Sequence, residues 1–133
     1  MITVNQTNKI SFENIKFTKT GDFAVSAVSA KNFNVKNCDF TFIQGSYAIN
    51  IDNAQNVYID GNYVYNCAGG FVYSRTGNLN TLESGNVYIT NNRVIACGYD
   101  PSYINGVIYG GYNSTERHAS VGTVIKNNIF PGL

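Results

Sequence analysis

Asn56-Val-Tyr-Ile-Asp-Gly-Asn-Tyr-Val64 is followed thirty residues later by Asn86-Val-Tyr-Ile-Thr-Asn-Asn-Arg-Val94, and the two superpose without a gap. Three more segments fit the same frame: Lys9-Ile-Ser-Phe-Glu-Asn-Ile-Lys-Phe17, Asn32-Phe-Asn-Val-Lys-Asn-Cys-Asp-Phe40 and Gly122-Thr-Val-Ile-Lys-Asn-Asn-Ile-Phe130. In each, mostly apolar residues alternate, an Asn or Gly follows two places on, and an apolar residue comes three places after that. The segments start at 9, 32, 56, 86 and 122, separations of 23, 24, 30 and 36 residues. The unit is therefore a coil of 23–24 residues, lengthened by about six and then about twelve residues in the later copies.

A second apolar stretch recurs after the first: Gly21-Asp-Phe-Ala-Val25, Gly45-Ser-Tyr-Ala-Ile49, Gly69-Gly-Phe-Val-Tyr73 and, displaced by extra residues, Asn105-Gly-Val-Ile-Tyr109. Each coil thus holds three short strands. Strands this short cannot bury a face alone, so like coils must stack, with Val35, Ile59 and Ile89 in one column. Asn14, Asn37, Asn91 and Asn127 share a place with Gly61. Asn and Gly tolerate the left-handed backbone of a tight corner, and stacked Asn side chains can bond the corner amides of neighbouring coils. Cys67 and Cys97 fall in the column of Ile43, which suits small apolar core residues carrying reduced thiols. The reading is an all-β, parallel β-solenoid of about five coils without substantial helix, one domain over residues 1–133.

Composition agrees. Among 133 residues, 20 are Asn, 13 Gly and 10 Tyr, Leu occurs only at 79, 82 and 133, and charged residues reach 13%. Such a chain is poor in strong helix formers. A net charge of +1 lacks the basic footprint of a nucleic-acid binder, and no apolar run is long enough to span a bilayer as a helix. The first twenty residues do not carry the profile of a secretion signal. Three Cys do not make a disulfide framework, and a lone His118 offers zinc little. Ile2 and Val4 take the places that Val25 and Ala27 hold one coil later, so the chain opens, and at Phe130-Pro-Gly-Leu133 closes, partway round a coil. This reads either as a segment of a longer solenoid or as ends that stack on partners.

Coil length, Asn corner and aliphatic columns together make residues 9–130 resemble the right-handed parallel β-helix superfamily of pectate-lyase-like proteins. The resemblance implies a groove along the third-strand sheet that takes an extended, acidic polysaccharide, and a secreted or cell-surface location. The lengthened loops flank that sheet: Gly98–Ile104 before it, Ser74–Gly85 and Gly110–Ser120 after it. Long loops on a rigid scaffold are where function concentrates. The candidate catalytic groups there are Arg75, Arg117, His118 and Asp100; the candidate sugar contacts are Tyr73, Tyr99, Tyr103, Tyr109, Tyr112 and Asp52. A β-eliminating lyase needs a base for the proton beside a uronate carboxylate and a cation for the developing charge. Either arginine suits those roles, and Asp52 and Asp100 suit a calcium ion. Asp100 and Glu116 suit glycoside hydrolysis less directly.

Ser74-Arg-Thr-Gly-Asn78 is similar to the Arg-x-Gly-Asn segment of chondroitinase-like and alginate-lyase β-helices, yet Asn50-Ile-Asp52 lacks their Lys one coil earlier. Gly98-Tyr-Asp-Pro-Ser102 is similar to the Asp-Pro-His motif of mannuronan epimerases, with Ser102 in place of the His. The leading expectation is thus a polysaccharide lyase or related glycan-modifying enzyme, and the competing one is a non-catalytic structural or glycan-binding solenoid, such as an adhesin, tailspike or spacer segment. The alternation near Tyr73 and Tyr109 leaves their face open: they are core if they share the column of an inward Val25 and Ile49.

Overall fold

The structure is a computed structural model that describes residues 1–6, 8–76, 85–102, 106–110, 112–113, 118–119 and 122–131, the backbone alone at 112, 113, 118 and 119. The strands in chain order are β1 (Ile2–Asn5), β2 (Asn8–Glu13), β3 (Lys16–Thr18), β4 (Val25–Val28), β5 (Lys31–Lys36), β6 (Asp39–Ile43), β7 (Tyr47–Asp52) and β8 (Gln55–Asp60). They continue as β9 (Tyr63–Cys67), β10 (Gly70–Arg75), β11 (Val87–Thr90), β12 (Arg93–Ile95), β13 (Ile108–Gly110), β14 (Tyr112–Asn113), β15 (His118–Ala119) and β16 (Thr123–Lys126). No helix occurs among the described residues.

Three parallel sheets enclose one core. The first carries β2, β5, β8, β11 and β16, the second β3, β6, β9 and β12, and the third β1, β4, β7, β10 and β13. Successive members come from successive coils, which is the stacking that the repeat demands. Val35 pairs with Ile59 and Ile59 with Ile89, all fully buried. Phe17, Phe40, Val64 and Val94 form a column in the second sheet, where the Phe17 and Phe40 rings stack at 5.0 Å. Each such side chain contributes about 1.5–3 kcal/mol of burial.

The corners also follow the reading, with one correction. Asn14, Asn37, Gly61, Asn91 and Asn127 all have φ between 52° and 68°. Their side chains, however, do not make the interior ladder. A left-handed corner turns its own side chain toward solvent and the next one inward. The ladder is built by Asn62, Asn92 and Asn128: Asn62 N and Nδ2 donate to Asn92 Oδ1 at 2.9 Å each, and Asn92 N and Nδ2 donate to Asn128 Oδ1 at 3.0 and 2.9 Å. Their amides also donate to the carbonyls of Val35, Ile59 and Ile89, and Cys38 N donates to Asn62 Oδ1. A second ladder runs outside, with Asn32 Nδ2 on Asn8, Asn56 Nδ2 on Asn32 and Asn86 Nδ2 on Asn56.

The third sheet settles the face of the tyrosines. Val25 pairs with Ile49 and Ile49 with Val72, so the register slips by one place between these two steps. Aligning Gly45 with Gly69 sets Tyr73 on Ile49; instead Gly70 pairs with Tyr47, and Tyr73 lands on Asn50. Gly70 permits the slip because its φ is 138° and a Cβ there would lie 2.7 Å from the Tyr47 ring. Tyr109 pairs with Tyr73. Both therefore lie on the outer face, opposite the column of Val25, Ile49 and Val72, which is fully buried.

Candidate functional site

Two clusters border the third sheet, one at each end of its strands. At the strand ends, Asp52 pairs in register with Arg75, and Arg75 Nη2 donates to Asp52 Oδ2 at 2.9 Å. The two side chains are 14% and 26% exposed. The guanidinium also sits 5.4 Å from the Tyr73 ring centre, a cation–π contact. Tyr73 in turn packs against Tyr47 at 5.5 Å and Tyr109 at 5.0 Å. Lower on the same face, Asn50 Nδ2 donates to Ser26 Oγ, both residues being 8% exposed. This end is a packed aromatic row closed by an ion pair.

The second cluster lies at the corner where the second sheet turns into the third. Lys19, Phe42, Asn66 and Ala96 occupy one left-handed column there, with φ of 57°, 57°, 59° and 52°. A non-glycine left-handed backbone costs about 1–2 kcal/mol, and here it turns the side chains of successive coils outward along one line. Lys19, Thr20, Gly21, Phe42, Gln44, Asn66 and Tyr99 line a shallow cleft of about 510 Å³. Phe42 is 40% and Tyr99 54% exposed. The Tyr99 hydroxyl lies 2.7 Å from Asn66 Oδ1 and 3.4 Å from Gln44 Oε1, its proton going to the nearer oxygen, so the ring is held at its tip. The result is two apolar ring surfaces among amides, a hydroxyl and one ammonium group.

The sequence-derived candidates divide between these places. Asp52, Arg75, Tyr73 and Tyr109 come together at the strand ends. Tyr99 lies at the corner, and so does Asp100, whose N donates to Ala68 O. From Ala68 to Arg75 the strand spans roughly 20 Å, so Asp52 and Asp100 do not share one calcium site. Asp100 Oδ1 instead accepts from Ser102 N at 2.9 Å, the side-chain cap of a turn. Among the described residues no group of three or more His, Cys, Asp or Glu is placed to hold a metal. The Lys19–Phe42–Asn66 column carries no motif and escapes a reading of the sequence, although the coil period aligns it as it aligns the core.

Tyr103, Glu116 and Arg117 lie outside the described residues. Tyr112 and His118 belong to an antiparallel pair that the repeat does not foreshadow, Asn113 facing His118 and Tyr112 facing Ala119, with β15 running close to β10.

The outer face of the first sheet offers a third aromatic feature. Tyr58 and Tyr88 stack at 5.0 Å and 13°, with Lys36 Nζ 5.9 Å from the Tyr58 ring. Rings stacked along the coil axis cover one another's faces and turn their edges outward, which gives a sugar ring no flat platform.

Comparison with characterised proteins and with solved structures returned no match. A family model described as the right handed beta helix region matches residues 1–131. With three parallel sheets built one strand per coil, the chain belongs to the right-handed β-helix family.

Proposed function

We propose that this β-helix is a glycan-binding module and that the corner cleft holds the sugar chain. The observation that carries the reading is the pair of exposed rings, Phe42 and the tip-anchored Tyr99, set among Thr20, Gln44, Asn66 and Lys19. Apolar sugar faces pack on aromatic rings, amides meet hydroxyls, and Lys19 favours a glycan bearing carboxylates or sulfates. The cleft draws residues from successive coils, which suits a chain lying along the solenoid axis. The pectate-lyase resemblance supports the same ligand class, while the engagement of Arg75 by Asp52 and of Asp100 by its own turn favours binding over turnover.

Affinity for pectate, alginate and chondroitin, measured by calorimetry, tests this. Tyr99→Ala is expected to weaken the best ligand about tenfold, or about 1.4 kcal/mol, with Tyr58→Ala unchanged. Retention of no acidic glycan, or equal losses from both variants, overturns the reading. Release of unsaturated uronate that Arg75→Ala abolishes would replace it with a lyase acting at the strand ends.

A further inference from the structure

Cys67 and Cys97 stand one coil apart on the inner side of the corner that closes the second sheet. Ile43 pairs with Cys67, and Gly98 N donates to Cys67 O at 2.9 Å, so Cys97 takes the next place in that column. Both are free thiols, Cys67 buried and Cys97 half-buried. The neighbouring Cys67 thiol holds Cys97 below the ordinary thiol range. The same proximity, with burial added, pushes Cys67 far above it. Cys97 also lines a cleft of about 260 Å³ whose other walls are Val94, Ala96, Val107, Phe130 and Pro131, which gives it a route to solvent.

The spacing of this pair is its distinguishing property. Neighbouring parallel strands lie about 4.8 Å apart, whereas a disulfide brings its Cβ atoms to about 3.8 Å and its sulfurs to about 2.05 Å. In-register stacking thus brings the two backbones within disulfide range but keeps the side chains wider apart than the bond prefers. Two metal–sulfur bonds of about 2.3 Å placed end to end span about 4.6 Å, close to the strand spacing. Among the described residues the cleft walls offer no carboxylate or imidazole, so a hard or four-coordinate ion finds no further side-chain ligands among them, while thiolate pairs select soft cations.

We propose that Cys67 and Cys97 form a two-coordinate site for a soft monovalent cation, Cu(I) or its analogue Ag(I). The cation bonds to the Cys97 sulfur, then to the Cys67 sulfur. Each thiol releases its proton to solvent and no oxidation state changes. The complex carries one net negative charge, which the half-exposed position of Cys97 tempers.

The test is anaerobic titration of the reduced protein with Ag(I), followed by native mass spectrometry and by competition with a monothiol. One silver per chain is expected to bind first, and Cys67→Ala or Cys97→Ala should each weaken it at least about 100-fold by removing the second, preplaced sulfur. Cys38→Ala should leave it unchanged, with circular dichroism showing that each variant is folded. Affinity should rise with pH, because binding displaces protons. Silver bound as tightly by either single variant overturns the proposal. So does loss of two hydrogens in air as Cys67 and Cys97 join, an outcome read on the unaltered chain and independent of variant folding.

Discussion

The molecule contains two asparagine ladders made from the same hydrogen bond in different surroundings. Asn62, Asn92 and Asn128 run inside the corner, with Asn62 2% and Asn92 1% exposed. Asn8, Asn32, Asn56 and Asn86 run outside, where water competes for every donor and acceptor. An amide bond in water nets little, whereas a buried group that loses its partner costs its whole desolvation. The inner ladder is thus obligatory, and the outer one marks positions where Asn is kept for its left-handed backbone: Asn32, Asn56 and Asn86 have φ of 53°, 55° and 50°.

Three substitutions sharpen that contrast. Asn92→Ala leaves Asn62 N and one Nδ2 proton of Asn62 without their acceptor and takes a donor from the Ile59 carbonyl, and should cost about 3 kcal/mol or more in denaturant unfolding. Asp52→Asn keeps the shape of the half-buried ion pair and removes one charge. A loss of about 1–2 kcal/mol is expected, smaller at high salt. Asn32→Gly deletes the bonds to Asn8 and Asn56 while leaving the left-handed backbone unstrained, and should change stability by less than about 0.5 kcal/mol. Equal effects of Asn92→Ala and Asn32→Gly would erase the distinction between the ladders.

How much can be read from residues alone follows the same division. Columns held by burial are legible, because Val35, Ile59 and Ile89 must repeat to fill a shared interior. The sequence places the ladder one residue early because Asn occurs on both sides of the corner: at 91 and 92, and at 127 and 128, the pair is Asn-Asn. Which one turns inward depends on φ, not on residue type. The slip at Gly70 is invisible because Gly69 matches Gly45 equally well. Ring position is the least legible. Tyr58, Tyr73, Tyr99 and Tyr109 look alike in the chain, and their separate surroundings arise only when coils stack.

Strand pairing in the first sheet ignores how much chain lies between its partners. Val57 meets Val87 round a lengthened coil, and Val87 meets Thr123 round a longer one still. Asn56 N donates to Gly85 O across the first of these connections. Each coil is a clasp that closes on its neighbour whatever is hung from it. Foreign peptides grafted between Thr76 and Gly85 should therefore ride as passengers on an unaltered frame, and this connection is the natural place to vary the molecule without renegotiating its core.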